Sequence, residues 1–393
     1  MPENSLQRVI IIHHSEIALK KRNRPFFESR LRANINRALV DVRGISVQID
    51  YGRFFLPLPD GCDVQRVIDR LRHVIGIASF RIAVRGDPDP EILKDQVLDA
   101  ITGQEFRSFR VDTHRVDKHY PYTSVQVNQI VGARIQSATG AKVDLGSAEF
   151  VIKIDVFNKC VYFALQTYAG ERGLPVRSTG KVVSMLSSGI DSPVSSFRMM
   201  KRGCQIIFVH FHSYPFTEKS SYYNVLDLIK ILTVYQNSSR IYFVSLADIQ
   251  KEIILTAPAK LRVVMYRRMM FRLAESIARR EGAGAIVTGD SLGQVASQTL
   301  ENIAAISEVV RMPILRPLIG LEKKDIIEMA RHIGTFAVST EPYDDCCSYL
   351  LPTKPETKAK LSEVHAVEEK MGAWQSLLDQ ALASAEIKTI RFP

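Results

Sequence analysis

A strand-loop-helix junction near the middle of the chain constrains the fold more than any other stretch. Val182-Val183-Ser184-Met185-Leu186 is an apolar strand that runs into Ser187-Ser188-Gly189-Ile190-Asp191-Ser192, and a helix pattern starts near Pro193. Further apolar strands span 206–211, 241–246 and 285–288, with helix patterns between them at 225–235 and 261–280. Strands alternating with helices predict a doubly wound parallel sheet, which binds its ligands at the carboxyl ends of the strands. The loop suits an anion. Small residues let backbone N–H groups form a concave nest, and the helix start adds partial positive charge. Ser187, Ser188 and Ser192 carry hydroxyls that can donate to phosphate oxygens. Asp191 would be repelled by bare phosphate, and makes sense if Mg2+ lies between them. An ordinary strand-to-helix turn with a serine cap is the simpler alternative. The loop is not a Walker motif: after Thr179-Gly180-Lys181 comes Val182, and Pro175 stands where the upstream glycine belongs.

Upstream the pattern changes. Residues 1–60 read strand, helix, strand, strand: Arg8 to His13, a helix from about Pro25, then two strands around Tyr51-Gly52. Residues 61–166 continue as a mixed unit, with helices at 64–74, 91–101 and 124–139 and strands at 79–84, 109–112, 150–157 and 161–166. Both are α+β in pattern. Thr167 to Pro175, with two glycines and a proline, reads as a linker into the α/β unit, which fills the rest of 167–393.

The formal net charge of +10 favours a polyanion as partner. Two basic stretches stand out. Lys20, Lys21 and Arg24 open a run, up to Arg43, that only Glu28 and Asp41 oppose. Arg110, Arg115 and Lys118 lie close to Tyr120 and Tyr122, a mixture that suits backbone contact plus stacking. Solvated helix faces would account for the same charges. No stretch reaches the roughly 18 apolar residues of a membrane span, and Met1 to Arg8 lacks a secretion signal's apolar core. The chain is therefore expected in the cytoplasm, away from membrane. Its five scattered cysteines form neither a disulfide framework nor a CxxC pair.

The loop resembles the pyrophosphatase-loop motif, Ser-Gly-Gly-x-Asp-Ser, of enzymes that cleave ATP between its α- and β-phosphates, with Ser188 in place of the first glycine. Ser15 to Lys20, 109–135, Gly173-Leu174-Pro175, Val209 to Thr217, Met265 to Arg272 and Thr288 to Thr299 extend the likeness over nearly the whole chain. Together they resemble tRNA 4-thiouridine synthetase, the ThiI family. The resemblance implies a ferredoxin-like domain, an RNA-binding THUMP domain and a pyrophosphatase-loop domain. It implies ATP contacts from Met185, Leu186, the loop Ser187-Ser188-Gly189 with Ser192, His210, Phe211, Arg267, Gly289 and Gln298. On chemistry alone, His210 and His212 could be half-buried strand residues or a weak metal pair. Arg267, Arg268 and Arg272 could equally form a solvated face.

The implied reaction adenylates the uridine at position eight of tRNA, replaces its oxygen with persulfide sulfur, and leaves 4-thiouridine. Family members can also supply sulfur for the thiazole of thiamin. Asp191 would organise Mg2+, and Cys347, with Cys346 beside it, matches the family's sulfur-handling cysteine. Pro393 lies only about 45 residues beyond Cys347, too short a stretch for the rhodanese domain of many relatives. The persulfide is then expected from a separate donor such as a cysteine desulfurase. Family members are often homodimers. A non-catalytic tRNA-binding protein with a decayed loop is the rival reading, and Ser188 is its support.

Overall fold

The computed structural model describes residues 8–50, 52–157, 160–216, 220–341, 354–372 and 374–393. They form two compact units that divide between Gly173 and Leu174.

In the first unit the chain runs β1 (Arg8–His14), α1 (Arg24–Ala38), β2 (Gln48–Asp50), β3 (Arg53–Pro57), α2 (Val64–Arg72) and β4 (Ile77–Gly86). It continues through α3 (Pro90–Ala100), β5 (Ser108–Arg115), α4 (Ser124–Thr139), β6 (Lys142–Val143), β7 (Phe150–Phe157), β8 (Cys160–Ala164) and β9 (Thr167–Ala169). The strands order as β2-β3-β1-β4-β8-β7-β5-β6, with β9 beside β4. Val9 to Ile12 are all buried, so β1 belongs mid-sheet, and it pairs antiparallel with both β3 and β4. Through β4, which also pairs with β8, one sheet runs from the first residues described to β9. Leu93, Val97, Val127, Val131 and Ile135 of α3 and α4 pack on Phe109, Val111, Ile152 and Ile154. Local signals set α4: Thr123 and Gln126 form a reciprocal capping box, and Gly140 ends the helix at φ 69°, a conformation cheap only for glycine. On the opposite face the buried Asp155 grips Arg53 and Arg81, each at 2.8 Å.

The second unit carries β10 (Lys181–Met185), α5 (Asp191–Lys201), β11 (Gln205–His212), α6 (Ser220–Gln236), β12 (Ser238–Ser245), α7 (Ala247–Thr256) and α8 (Arg262–Glu281). Then come β13 (Ile286–Val287), α9 (Leu300–Ser307), β14 (Ile314–Leu315), α10 (Lys323–His332), α11 (Phe336–Ser339), α12 (Leu361–Lys370), α13 (Trp374–Ala383) and β15 (Glu386–Arg391). The order β14-β13-β10-β11-β12-β15 is parallel up to β12, as the alternating pattern predicts. β15 adds an antiparallel edge, which the sequence pattern did not reveal because Glu386, Lys388 and Arg391 interrupt the apolar signature of a strand. From β10 the chain winds outward to β11 and β12 on one side and later to β13 and β14 on the other. The carboxyl end of β10 is thus the switch point, where such sheets open a crevice. Among the described residues no helix is long and apolar enough to cross a membrane.

One ion network pins α8 to α12. Arg268, almost wholly buried, meets Glu368 through two bonds of 2.8 and 2.9 Å, and Arg272 joins them at 2.9 Å while stacking on Trp374 at 4.2 Å. The sequence offered Arg268 and Arg272 as a solvated face, and burial of Arg268 against Glu368 overturns that for Arg268. Burial by itself would raise the Glu368 carboxyl, but the two arginines outweigh it and hold it at about 2. A depressed carboxyl contributes stability that is complete above its ordinary value of 4.5 and drains away as pH falls toward 2. Urea unfolding across that window should show a loss of stability that Glu368→Gln flattens.

Candidate active site

At the switch point the structure gathers ten of the sequence-selected residues around one cavity of about 400 Å3: Met185, Leu186, Ser187, Asp191, Ser192, His210, Phe211, Arg267, Gly289 and Gln298. They come from the ends of β10, β11 and β13, the start of α5, one turn of α8, and the short 3-10 turn Ala296–Gln298 before α9. Val263, Met270, Val295, Ala296 and Pro355 complete an apolar wall. Ser188 and Gly189 are not on that wall.

The loop closes on itself. The Ser187 N–H donates to Ser192 Oγ at 2.9 Å, and that hydroxyl lies 3.2 Å from the Ser187 carbonyl. Ser188 is 1% exposed, and its hydroxyl donates to the Ser221 carbonyl at 3.3 Å. The side chain that departs from the glycine pattern is therefore absorbed into the packing behind the loop. α5 has no side-chain N-cap bond, so its first-turn N–H groups stand at the cavity without a capping acceptor.

Gly289 is needed for a reason other than contact with a ligand. A Cβ there would stand 2.8 Å from the Ser192 nitrogen and 3.0 Å from its Cα. The glycine makes room for the loop backbone itself. Ser195 adds a second tie, donating to the Thr288 carbonyl at 2.6 Å. Gly289→Ala should push the loop off the β13 end at a cost of about 1–3 kcal/mol. A lowered melting temperature together with weakened nucleotide binding would check this.

Asp191 has partners that the sequence did not indicate. Its Oδ1 lies 2.6 Å from Lys323 Nζ and its Oδ2 accepts from Gln294 Nε2 at 3.0 Å. The ammonium supplies a counter-charge that the sequence reading assigned to Mg2+ alone. Among the described residues no trio of His, Cys, Asp or Glu is placed to hold a metal ion. His210 Nδ1 is spent on the Leu186 carbonyl at 2.9 Å. Burial, helped by His212 and opposed by that bond, brings His210 down to about 4, so the ring is neutral near pH 7. Nδ1 carries the proton, and Nε2 is left as a buried acceptor without a partner; Gln298 Oε1 is another.

Arg267 is aimed by residues that the sequence left out. Its guanidinium meets Asp290 at 2.6 Å and Ser297 Oγ at 3.1 Å. Asp290 is 3% exposed and also takes Thr288 Oγ1 at 2.8 Å and Arg316 Nε at 3.2 Å. Burial alone would raise its carboxyl, but Arg267, Thr288 and Arg316 hold it below the usual range. The sequence carried no signal for this pairing, since an acid after Gly289 reads alike whether solvated or paired.

The selected basic residues lie in the first unit. Arg24 bonds Glu28 at 2.7 Å and the Gly52 carbonyl at 3.2 Å; Arg110 holds the Leu145 carbonyl at 2.9 Å; Arg115 clamps the Tyr122 carbonyl at 2.9 Å. Lys20 sits 5.1 Å from the Phe27 ring centre, whereas Lys21 and Lys118 are exposed. Cys346 and Cys347 lie outside the described residues.

Comparison with known proteins finds relatives along nearly the whole chain. The family description "Thiamine biosynthesis protein (ThiI)" matches residues 177–372, the ThiI ferredoxin-like domain 9–80, and the THUMP domain 79–166. A probable tRNA sulfurtransferase of Caldanaerobacter subterraneus subsp. tengcongensis is 39% identical over 95% of this chain and 98% of its own. One from Thermus thermophilus is 40% identical over 96% of this chain and 93% of its own. A crystallised 4-thiouridine synthetase, in complex with RNA and with bound ATP, superposes with a TM-score of 0.88 at 35% identity, covering 98% of this chain and 100% of that one. With a serine-rich loop at the switch point of its second sheet and full-length kinship at this identity, the chain belongs to the ThiI family of tRNA sulfurtransferases.

Proposed function

We propose that this chain uses ATP to adenylate the O4 of a uridine in tRNA, the one at position eight, and that sulfur then replaces that oxygen to give 4-thiouridine. The observation that carries the reading is the cavity at the β10 end, which joins a phosphate-type loop to buried, partnerless acceptors. ATP fits this set. Gln298 Oε1 and His210 Nε2 are acceptors on the wall, and adenine offers an exocyclic N–H2. Ser187, Ser192 and the start of α5 would hold the phosphates, with Arg267 as counter-charge. When bound, ATP converts a poor leaving oxygen into AMP.

Mg2+ would enter with the phosphates, since Asp191 is the one carboxylate of the loop and its two oxygens are engaged by Lys323 and Gln294. Residues 1–60 and 61–166 would bind tRNA, with Lys20, Lys21, Arg24, Arg110, Arg115 and Lys118 as candidate contacts, while 167–393 carries the chemistry. The exposed Lys21 and Lys118 are the strongest of these, because the arginines already have intramolecular partners. A persulfide from a separate donor protein, such as a cysteine desulfurase, would attack C4 and expel AMP. A thiol, Cys347 or Cys346, would then cleave the S–S bond, leaving sulfur on the base and a disulfide behind. The protein would act as a homodimer. A role in supplying sulfur for a thiazole rests on the family description.

The deciding test is AMP release from labelled ATP, with and without unmodified tRNA. The reading predicts release that requires tRNA, and thiolated tRNA once persulfide is added. Tight tRNA binding without AMP would leave a plain RNA-binding protein instead.

A further inference from the structure

We propose that Gln294 recognises the base brought to this site, by accepting a hydrogen bond from the N3–H that uracil has and cytosine lacks. The inference rests on the proposed function and adds a residue that reads the base. Lys323 Nζ, a pure donor, occupies Asp191 Oδ1, and Gln294 occupies Oδ2 at 3.0 Å. The carboxylate therefore accepts at both oxygens, and the end of the amide facing it must be Nε2. That choice leaves Oε1 as the other end of the amide, a fixed-polarity acceptor beside a residue of the cavity wall. An unrestrained glutamine could turn its amide over and accept either pyrimidine. This one cannot do so without breaking its bond to Asp191.

The loop around Gln294 is held in place. The Gly293 N–H donates to the Gln298 carbonyl at 2.9 Å with φ at 74°, and the Leu292 N–H donates to the Ile319 carbonyl at 3.1 Å. Leu292 and Val295, on either side, are 48% and 53% exposed. Large aliphatic side chains left in water at the mouth of a polar site can cover the face of a planar ring. A nucleotide must leave its stack to present C4 and O4 here, and apolar cover offsets part of that cost. Uracil then presents O2, N3–H and O4 along one edge, and an acceptor opposite N3 favours it over cytosine, whose N3 carries a lone pair.

The test compares tRNA carrying uridine at the target position with tRNA carrying 3-deazauridine there. The analogue keeps an oxygen on C4, carried as a hydroxyl, and has C–H in place of N3–H. The effect of the substitution at Gln294 is therefore compared between the two substrates, and not the substrates with each other. tRNA-dependent AMP release is measured for the full-length wild type and Gln294→Met, and ATP affinity is measured without tRNA. Gln294→Met should cost about tenfold in kcat/KM on uridine, the worth of one hydrogen bond. On the analogue the same substitution should cost less than about threefold, and that difference is the coupling a double-mutant cycle reads. An equal loss of about tenfold on both substrates would overturn the proposal. So would an ATP affinity that falls in step with the rate, because the amide would then act on the nucleotide and not on the base. Absence of AMP from wild type with normal tRNA would instead sink the adenylation reading on which the proposal rests.

Discussion

Asp191→Ala is expected to cut tRNA-dependent AMP formation roughly a thousandfold while leaving ATP affinity intact or improved. The sign of the second half follows from charge. Asp191 borders the cavity, and its negative charge opposes the phosphates that the loop is built to hold. Removing it frees Lys323, now 2.6 Å from Oδ1, to face the nucleotide. Binding should therefore not suffer, and the loss should fall on turnover. Equilibrium titration with ATP and single-turnover AMP release separate the two effects. A variant that binds ATP poorly but turns over normally would show that Asp191 only shapes the loop. A drop in rate below tenfold would remove it from the chemistry altogether.

Asp290→Ala should strongly destabilise the second unit while leaving its apolar core intact. The carboxylate is buried between Arg267 at 2.6 Å and Arg316 at 3.2 Å. Deleting it leaves two guanidinium groups close together without their shared counter-charge, a loss of about 3–5 kcal/mol for a broken buried pair. Arg267 would also lose its anchor at the cavity, so ATP affinity should fall alongside stability. Asp290→Asn keeps the shape and the bond from Thr288 at 2.8 Å, and should recover part of the fold but little of the affinity. The pH dependence has a definite sign. A carboxyl held below its ordinary value contributes fully above that value, and its contribution is lost as pH falls through the lowered one. Urea unfolding of both variants at neutral and acidic pH tests this: they should differ from wild type most at neutral pH and converge with it in acid.

Much of the architecture was legible because its signals are local. The apolar run of β10, the small residues after it and the helix past Pro193 are contiguous, so backbone preference alone declares a strand, a nest and a helix. The Thr123–Gln126 box and Gly140 mark both ends of α4 in the same way. The antiparallel edge strand β15 was missed because Glu386, Lys388 and Arg391 make it look like a solvated tail. Its register against β12 is a tertiary fact.

The site divides along the same line. The loop chemistry pointed to Ser187, Asp191 and Ser192, and the family resemblance supplied the other side chains expected on the cavity wall. Which of them hold one another required the folded chain. Asp191 and Lys323 are 132 positions apart, and Arg267 finds Asp290 only because α8 packs beneath the end of β13. A charge written in a sequence does not say whether it is solvated or paired. Arg267, Arg268 and Arg272 read alike on one helix, yet one lines the cavity, one is sealed against Glu368, and one stacks on Trp374. The sequence by itself determined the alternating strands and helices, the loop and the chemistry it invites, because those depend on neighbours along the chain. The tertiary structure decided the single sheet of the first unit, the tie of Asp191 to Lys323 and Gln294, and the aim of Arg267, because each depends on groups that meet only when distant segments pack and exclude water from between them.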